Sequence, residues 1–286
     1  MITADIAVPA QCELAEGPVW DPDRSVLRWV DILAGDIHSF DPATGAHDWF
    51  PVGESVGSVG LTTSDVLVLA LSDGFGLLDG TRLARIPGFA VDGSAVRFND
   101  GKPDPWGNFW AGTMPHVDGE PGGALYRLAP DGTVSTLIPD VGLSNGLDWT
   151  DDRRTFYYAD SDSGGVDAFD CDPETGALGA RRRFITVPKA EGVPDGLTLD
   201  AEGCLWLAVW GASELRRYTP DGRLDAVVQL PASQVSCPAF GPDGTLYITT
   251  AYENFTAGQR EAEPRAGDIF ACAPGVTGRP AFRFTV

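Results

Sequence analysis

Histidine and methionine are scarce in this chain, with three and two residues respectively, and its five cysteines include no CxxC pair. His38, His47 and His116 stand in unrelated contexts without an HExxH or GxSxG motif, so zinc–histidine and Ser-His-Asp mechanisms have no visible parts. Each is read as an ordinary surface or loop residue. The cysteines (Cys12, Cys171, Cys204, Cys237, Cys272) are odd in number and widely spread, which argues against a disulfide framework or a zinc site and for buried free thiols. Basic residues are also few: 20 Lys and Arg face 41 Asp and Glu, a net charge of -21. Such a field repels polyanions, which excludes nucleic acid and anionic membranes as partners. No apolar run approaches a membrane span, and the opening MITADIAVPAQCELAEGPVW lacks the basic and apolar regions of a signal peptide. A cytoplasmic protein is expected, and nothing calls for an obligate protein partner.

Turn formers, in contrast, are abundant. The 35 Gly and 22 Pro are spread evenly, leaving no stretch that looks like an interdomain linker, so residues 1–286 are read as one domain. The polar stretch AGQREAEPRAGD at 257–268 reads as a rim loop. Helical periodicity is hard to find, while short β-branched and aromatic runs recur between Gly, Pro and Asp clusters, the pattern of many short antiparallel strands. The strands also repeat. GPVWDPDRSVLRWVDILAGDIHSFDPATG near the start resembles GLDWTDDRRTFYYADSDSGGVDAFDCDPETG from Gly146, and GLTLDAEGCLWLAVWGASELRRYTPDG from Gly196 shares the layout. Three further segments bring the count to six, and a unit of roughly 40–50 residues with four strands is the signature of a propeller blade. The expectation is an all-β, six-bladed β-propeller with four-stranded antiparallel blades, closed by an N-terminal strand around Ile2–Val8 pairing into the last blade. A β-sandwich is the alternative, but it gives no reason for a period.

Put in phase on the first strand of each unit, the residue just before that strand falls at Glu16, Val59, Asn99, Asn145, Asp195 and Ser236. Average composition puts about one Asp, Glu or Asn among six positions, and here there are four. The first strand of a blade lines the central channel, so in-phase positions point at a common axis. Asn-Gly and Pro-Asp-Gly are also plain turn formers, and Pro130-Asp131-Gly132, Pro220-Asp221-Gly222 and Pro242-Asp243-Gly244 are further examples that lie elsewhere in the unit. Carboxylates and amides converging on an axis leave costly unpaired charge unless a cation sits there. Oxygen donors without thiolate or imidazole suit Ca²⁺, Mg²⁺ or Mn²⁺, with catalytic Zn²⁺ or Fe²⁺ also open. One such divalent metal ion polarises a carbonyl and acidifies a bound water, which is what ester hydrolysis at neutral pH needs.

Five motifs carry a family resemblance across essentially the whole chain: AEGPVW at 15–20, RFNDGKPDPWGNFWAGTM at 97–114, SNGLDW at 144–149, PDGLTLD at 194–200 and SCPAFG at 236–241. With these the sequence resembles the SMP-30/gluconolactonase/LRE family, a group that takes in regucalcin and bacterial sugar lactonases and whose fold is a six-bladed propeller. The resemblance implies Glu16, Asn145 and Asp195 as metal ligands, Asp195 as general base, and Arg97, Asn99 and Glu120 as substrate-contacting residues. Trp106, Trp110 and Met114 are candidates to wall the sugar, or else core. The activity implied is opening of an aldono-1,4- or 1,5-lactone to the aldonic acid in sugar catabolism, with a sugar lactone as the small-molecule partner. An organophosphate-hydrolysing propeller, a non-catalytic calcium-binding regulatory propeller and a protein-binding scaffold are the competing readings.

Overall fold

A computed structural model of the chain describes residues 2–117 and 122–286. Six sheets follow one another along the sequence; four are antiparallel meanders in strand order, and the N-terminal segment adds a strand to each of the other two. Blade 1 holds the strands Ala15–Asp21, Val26–Asp31, Asp36–Asp41 and Ala46–Pro51, and blades 2 to 5 begin with Val56–Leu61, Val96–Pro103, Ser144–Trp149 and Val193–Leu199. Blade 6 takes three strands from the C-terminal part, Gln234–Phe240, Leu246–Ala251 and Ile269–Cys272, and its outer strand, Asp5–Val8, from the N-terminus. The chain is a six-bladed β-propeller.

Ring closure differs in one detail from the expectation. The N-terminal segment is two strands: Asp5–Val8 completes blade 6, while Ile2–Thr3 pairs parallel with Leu224–Gln229 at the outer edge of blade 5. Both blades are thus fastened by the same segment, and one edge that would invite pairing with another chain is covered. The polar stretch after blade 6's second strand also differs, since Ala257–Ala262 is a helix, the one α-helix among the described residues. A capping box, Thr256 with Gln259, starts it. None of its residues is buried, so it has no apolar stripe for a sequence reading to find. No helix among the described residues is long and apolar enough to cross a membrane.

The apolar residues do not form one central core. They form six clusters, each wedged between neighbouring blades: Trp206, Leu215 and Val228 of blade 5 meet Val235, Ile248 and Phe270 of blade 6, and Trp110 and Leu125 of blade 3 meet Trp149 and Phe156 of blade 4. Burial between blades holds the ring together and leaves the axis to polar side chains. An aspartate at the end of an inner strand fixes the packing tryptophan in two blades. Asp104 accepts from Trp110 Nε1 at 2.7 Å and Asp200 from Trp206 Nε1 at 3.0 Å, each also accepting backbone N–H groups of the following turn. All five cysteines are free and buried, as expected.

His38 is not a surface residue. It is buried in blade 1, stacked on Trp29 with ring centroids 5.0 Å apart, its Nδ1 3.0 Å from His47 Nε2 and its other nitrogen facing Cys12. Desolvation holds its pKa down at about 4, which keeps the ring neutral in the stack.

Candidate active site at the channel axis

Every inner strand carries a register irregularity near its start. Each inserts one extra residue, and the unpaired positions are Gly17 and Pro18 in blade 1, Gly57 in blade 2, Asn99 and Asp100 in blade 3, Asn145 and Gly146 in blade 4, Asp195 and Gly196 in blade 5, and Ser236 in blade 6. A bulge bends the strand and re-aims a side chain, and six of them at one level build a collar around the channel. The candidate residues therefore lie inside the strands, not before them. In blade 2 the collar position belongs to Gly57. Val59 lies two residues further along the strand and packs in the core between blades 1 and 2 instead.

Glycine chemistry separates the axial Asn-Gly and Asp-Gly pairs from ordinary turns. Gly132, Gly222 and Gly244, from the three Pro-Asp-Gly turns, have φ of 85°, 82° and 77°, the left-handed region. Gly146 and Gly196 do not have positive φ; they are needed because neighbouring inner strands crowd together. A Cβ on Gly146 would stand 2.5 Å from Leu197 N, and one on Gly196 would stand 2.4 Å from Cys237 Sγ.

Glu16, Asn145, Asp195, Arg97 and Asn99 come together as one buried group. Arg97 donates to Asn99 Oδ1 at 2.7 Å and to Phe98 O at 3.2 Å, and Asn99 Nδ2 donates to Ser144 O at 2.9 Å, tying blade 3 to blade 4. Ser161 fixes Asn145: its hydroxyl donates to Pro194 O at 2.6 Å, so its oxygen accepts from Asn145 Nδ2 at 3.1 Å. The amide nitrogen is thereby committed, and Asn145 Oδ1 is left buried without a partner. Glu16 accepts from Gly17 N at 2.8 Å. Burial, with Asp100 adding repulsion, raises its pKa to about 8. Asp195 is also pushed well up, by burial first and then by Glu16 and Asp100, with the Asn145 side chain pulling the other way. One guanidinium does not balance this cluster, and desolvation weakens its own charged state.

Two residues were not singled out from the sequence. Asp100 is the second residue of the blade 3 bulge, buried, and raised to about 6 by desolvation against the pull of Lys102. Its position directly after Asn99 in RFNDGK was the available signal. Glu253, in the loop after Leu246–Ala251, acts electrostatically on both Arg97 and Asp195, and a loop residue leaves no trace in a strand repeat. Glu120 lies outside the described residues. Trp106 and Trp110 do not wall this group: Trp110 pairs with Lys102 in the far half of the sheet and packs in the core, and Trp106 donates to Pro173 O. Met114, half-buried, is Arg97's cross-strand partner.

The donor set fits a hard divalent cation. An orphaned amide oxygen and two buried carboxylates, of which Glu16 raises Asp195, are the all-oxygen donor set that Glu16, Asn145 and Asp195 offer. No group of three or more His, Cys, Asp or Glu side chains gathers in metal-binding fashion among the described residues. A cavity of about 350 Å³ opens at the opposite mouth, lined by the far halves of the inner strands and by residues 277–282 of the C-terminal segment. It touches the collar through Gly17, Pro18 and Asp100 and is not lined by Glu16 or Asp195.

A family model for the SMP-30/gluconolactonase/LRE-like region matches residues 14–252. Pentonolactonase XacC of Haloferax volcanii is 40% identical, the alignment covering 100% of this chain and 99% of that one. The 6-deoxy-6-sulfogluconolactonase of Pseudomonas putida is 36% identical over 93% of this chain and 92% of that protein. Among solved structures, that of a calcium-binding protein, regucalcin, from Agrobacterium tumefaciens superposes with a TM-score of 0.94 at 28% identity, covering 100% of this chain and 99% of the other.

Proposed function

The chain belongs to the SMP-30/gluconolactonase/LRE-like family, and from that premise we propose that it is a metal-dependent lactonase that opens a sugar lactone, an aldono-1,4- or 1,5-lactone, to the aldonic acid. The observation that carries this reading is the unpartnered Asn145 oxygen beside two mutually repelling buried carboxylates. Two lactonases, a pentonolactonase and a sulfogluconolactonase, at 40% and 36% identity over nearly the whole chain support the substrate class.

In this proposal Glu16, Asn145 and Asp195 hold one divalent ion, drawn from Ca²⁺, Mg²⁺, Mn²⁺, Zn²⁺ and Fe²⁺. When bound, that ion supplies a Lewis acid for the lactone carbonyl. Asp195 is the general base. It accepts a proton from water as the water oxygen bonds the carbonyl carbon, and returns a proton to the ring oxygen as the ring C–O bond breaks. Arg97, held by Asn99 and Phe98 O, has further donors for sugar hydroxyls, and a fixed guanidinium orients them better than a flexible ammonium. Residues 1–286 act as one domain, and five free thiols fit a reducing compartment, the cytoplasm.

The calcium-binding regucalcin structure favours a second reading, a calcium-binding propeller without catalysis. Hydrolysis of a lactone panel, followed with a pH indicator with and without chelator, separates the two. Turnover that stops with chelator and returns with a divalent ion supports the lactonase. Metal binding without turnover of any lactone supports the second reading.

A further inference from the structure

Blades 1 and 4 share one frame at the collar. In blade 1, Leu14 N donates to Asp31 Oδ1 at 3.2 Å and Leu14 O accepts from Ile32 N at 3.0 Å. In blade 4, Leu143 N donates to Asp160 Oδ1 at 3.2 Å and Leu143 O accepts from Ser161 N at 3.0 Å. Glu16 and Asn145 each lie two residues past that leucine, so Ile32 and Ser161 are equivalent positions, each directly after the second strand of its blade. Both are buried, but Ile32 packs in the core between blades 1 and 2, whereas Ser161 puts a hydroxyl where the other blade has an apolar side chain. A buried hydroxyl is costly unless it is hydrogen-bonded, and this one is bonded twice.

The collar residues explain the difference. A carboxylate offers an oxygen whichever way it turns, so Glu16 needs no partner to set its face. An amide has an oxygen side and a nitrogen side, and only the oxygen binds a hard cation. Ser161 Oγ stands 2.6 Å from Pro194 O, which has no hydrogen to give, so the hydroxyl proton points there. The Ser161 oxygen can then only accept, and it takes Asn145 Nδ2 at 3.1 Å. A reversed amide would leave two acceptors competing for one hydroxyl proton. Held this way round, Asn145 keeps its Oδ1 as the unpartnered side. We propose that Ser161 is a positioning residue for the axial ion: it parks the Asn145 nitrogen on the channel wall, so that the amide oxygen is the atom left to ligate. The inference rests on the metal-holding part of the function proposed above. Ser161 acts through Asn145, and the loss of such a partner behind a ligand typically weakens metal binding by about 10–100-fold.

Ion binding by calorimetry tests this, with Mn²⁺ and Ca²⁺ titrated into the chelated full chain as wild type, Ser161→Ala, Asn145→Asp and the double variant. Ser161→Ala should weaken ion binding by about 10–100-fold. In the Asn145→Asp background residue 145 presents an oxygen in either orientation, so removing the hydroxyl should weaken binding by less than about threefold. A merely structural role does not produce that difference, since a loosened seam between blades 4 and 5 would weaken binding alike in both backgrounds. Ser161→Thr, which keeps the hydroxyl, should retain most of the wild-type affinity. Affinity in Ser161→Ala within about threefold of wild type overturns the inference, as does an equal loss in both backgrounds. A wild type that binds the ion but hydrolyses no lactone removes the lactonase reading and leaves the role of Ser161 standing. A wild type that binds neither ion overturns both.

Discussion

Glu16 allows a test in which stability and function move in opposite directions. In the cation-free protein its carboxyl has a pKa of about 8 against an ordinary 4.5, because it is buried beside other acids. A folded-state value raised in this way means that the native protein binds a proton the unfolded chain has already released. Its contribution is therefore intact below about pH 4.5 and is eroded by roughly 1.4 kcal/mol for each pH unit up to about 8. At about pH 7.5 the handicap is about 4 kcal/mol, and at about pH 5 it is under about 1 kcal/mol. Glu16→Gln keeps the shape and an oxygen for Gly17 N but never ionises. With chelator at about pH 7.5 the variant should be more stable than the wild type by about 3–4 kcal/mol, or roughly 6–16 °C in melting temperature, and nearly equal at about pH 5. Saturating divalent ion should reverse the order, since the ion binds the native wild type and relieves its repulsion. Scanning calorimetry on both proteins at the two pH values, with and without ion, measures all of this. A chelated Glu16→Gln protein no more stable than wild type at about pH 7.5 would refute the claim that the axial carboxylates are held under electrostatic strain.

Asp195→Asn, assayed at saturating ion, should lower kcat by at least about 10²-fold, because the side chain that takes the water proton is gone. Asn145→Asp adds charge without removing a base and should be milder in rate; equal losses would mean that Asp195 serves only as a ligand. Away from the axis, Arg217 bonds Asp200, Glu202 and Asp225 in blade 5, and Asp200 is wholly buried. Arg217→Met should destabilise by about 3 kcal/mol, since buried Asp200 loses its cation, and the melting temperature should fall by roughly 6–12 °C. A melting temperature within a degree of wild type would show that the network contributes little.

The propeller was legible because each blade repeats the same strand–turn chemistry, and the in-phase Glu16, Asn99, Asn145 and Asp195 marked the channel wall. What failed did so for local reasons. Val59 fails as a wall residue because Gly57, which occupies the blade 2 bulge, has no side chain to mark the position, and Val59, two residues on, packs between blades. The helix Ala257–Ala262 carries no buried residue, so no apolar period announces it. His38 looked like a loop residue because its partners, Trp29 and Cys12, come from elsewhere in the chain. Glu253 lies in a loop after Leu246–Ala251, outside the strand repeat, so no phase argument reaches it.

One measurement tests metal-dependent lactone hydrolysis most directly: the rate of hydrolysis of a panel of 1,4- and 1,5-aldonolactones by exhaustively chelated protein, before and after titration with a divalent ion. The geometry of Glu16, Asn145 and Asp195 predicts no hydrolysis above background in the chelated protein and recovery at a stoichiometry of one ion per chain. Full activity in the chelated protein, or no activity on any lactone at any ion concentration, would contradict it.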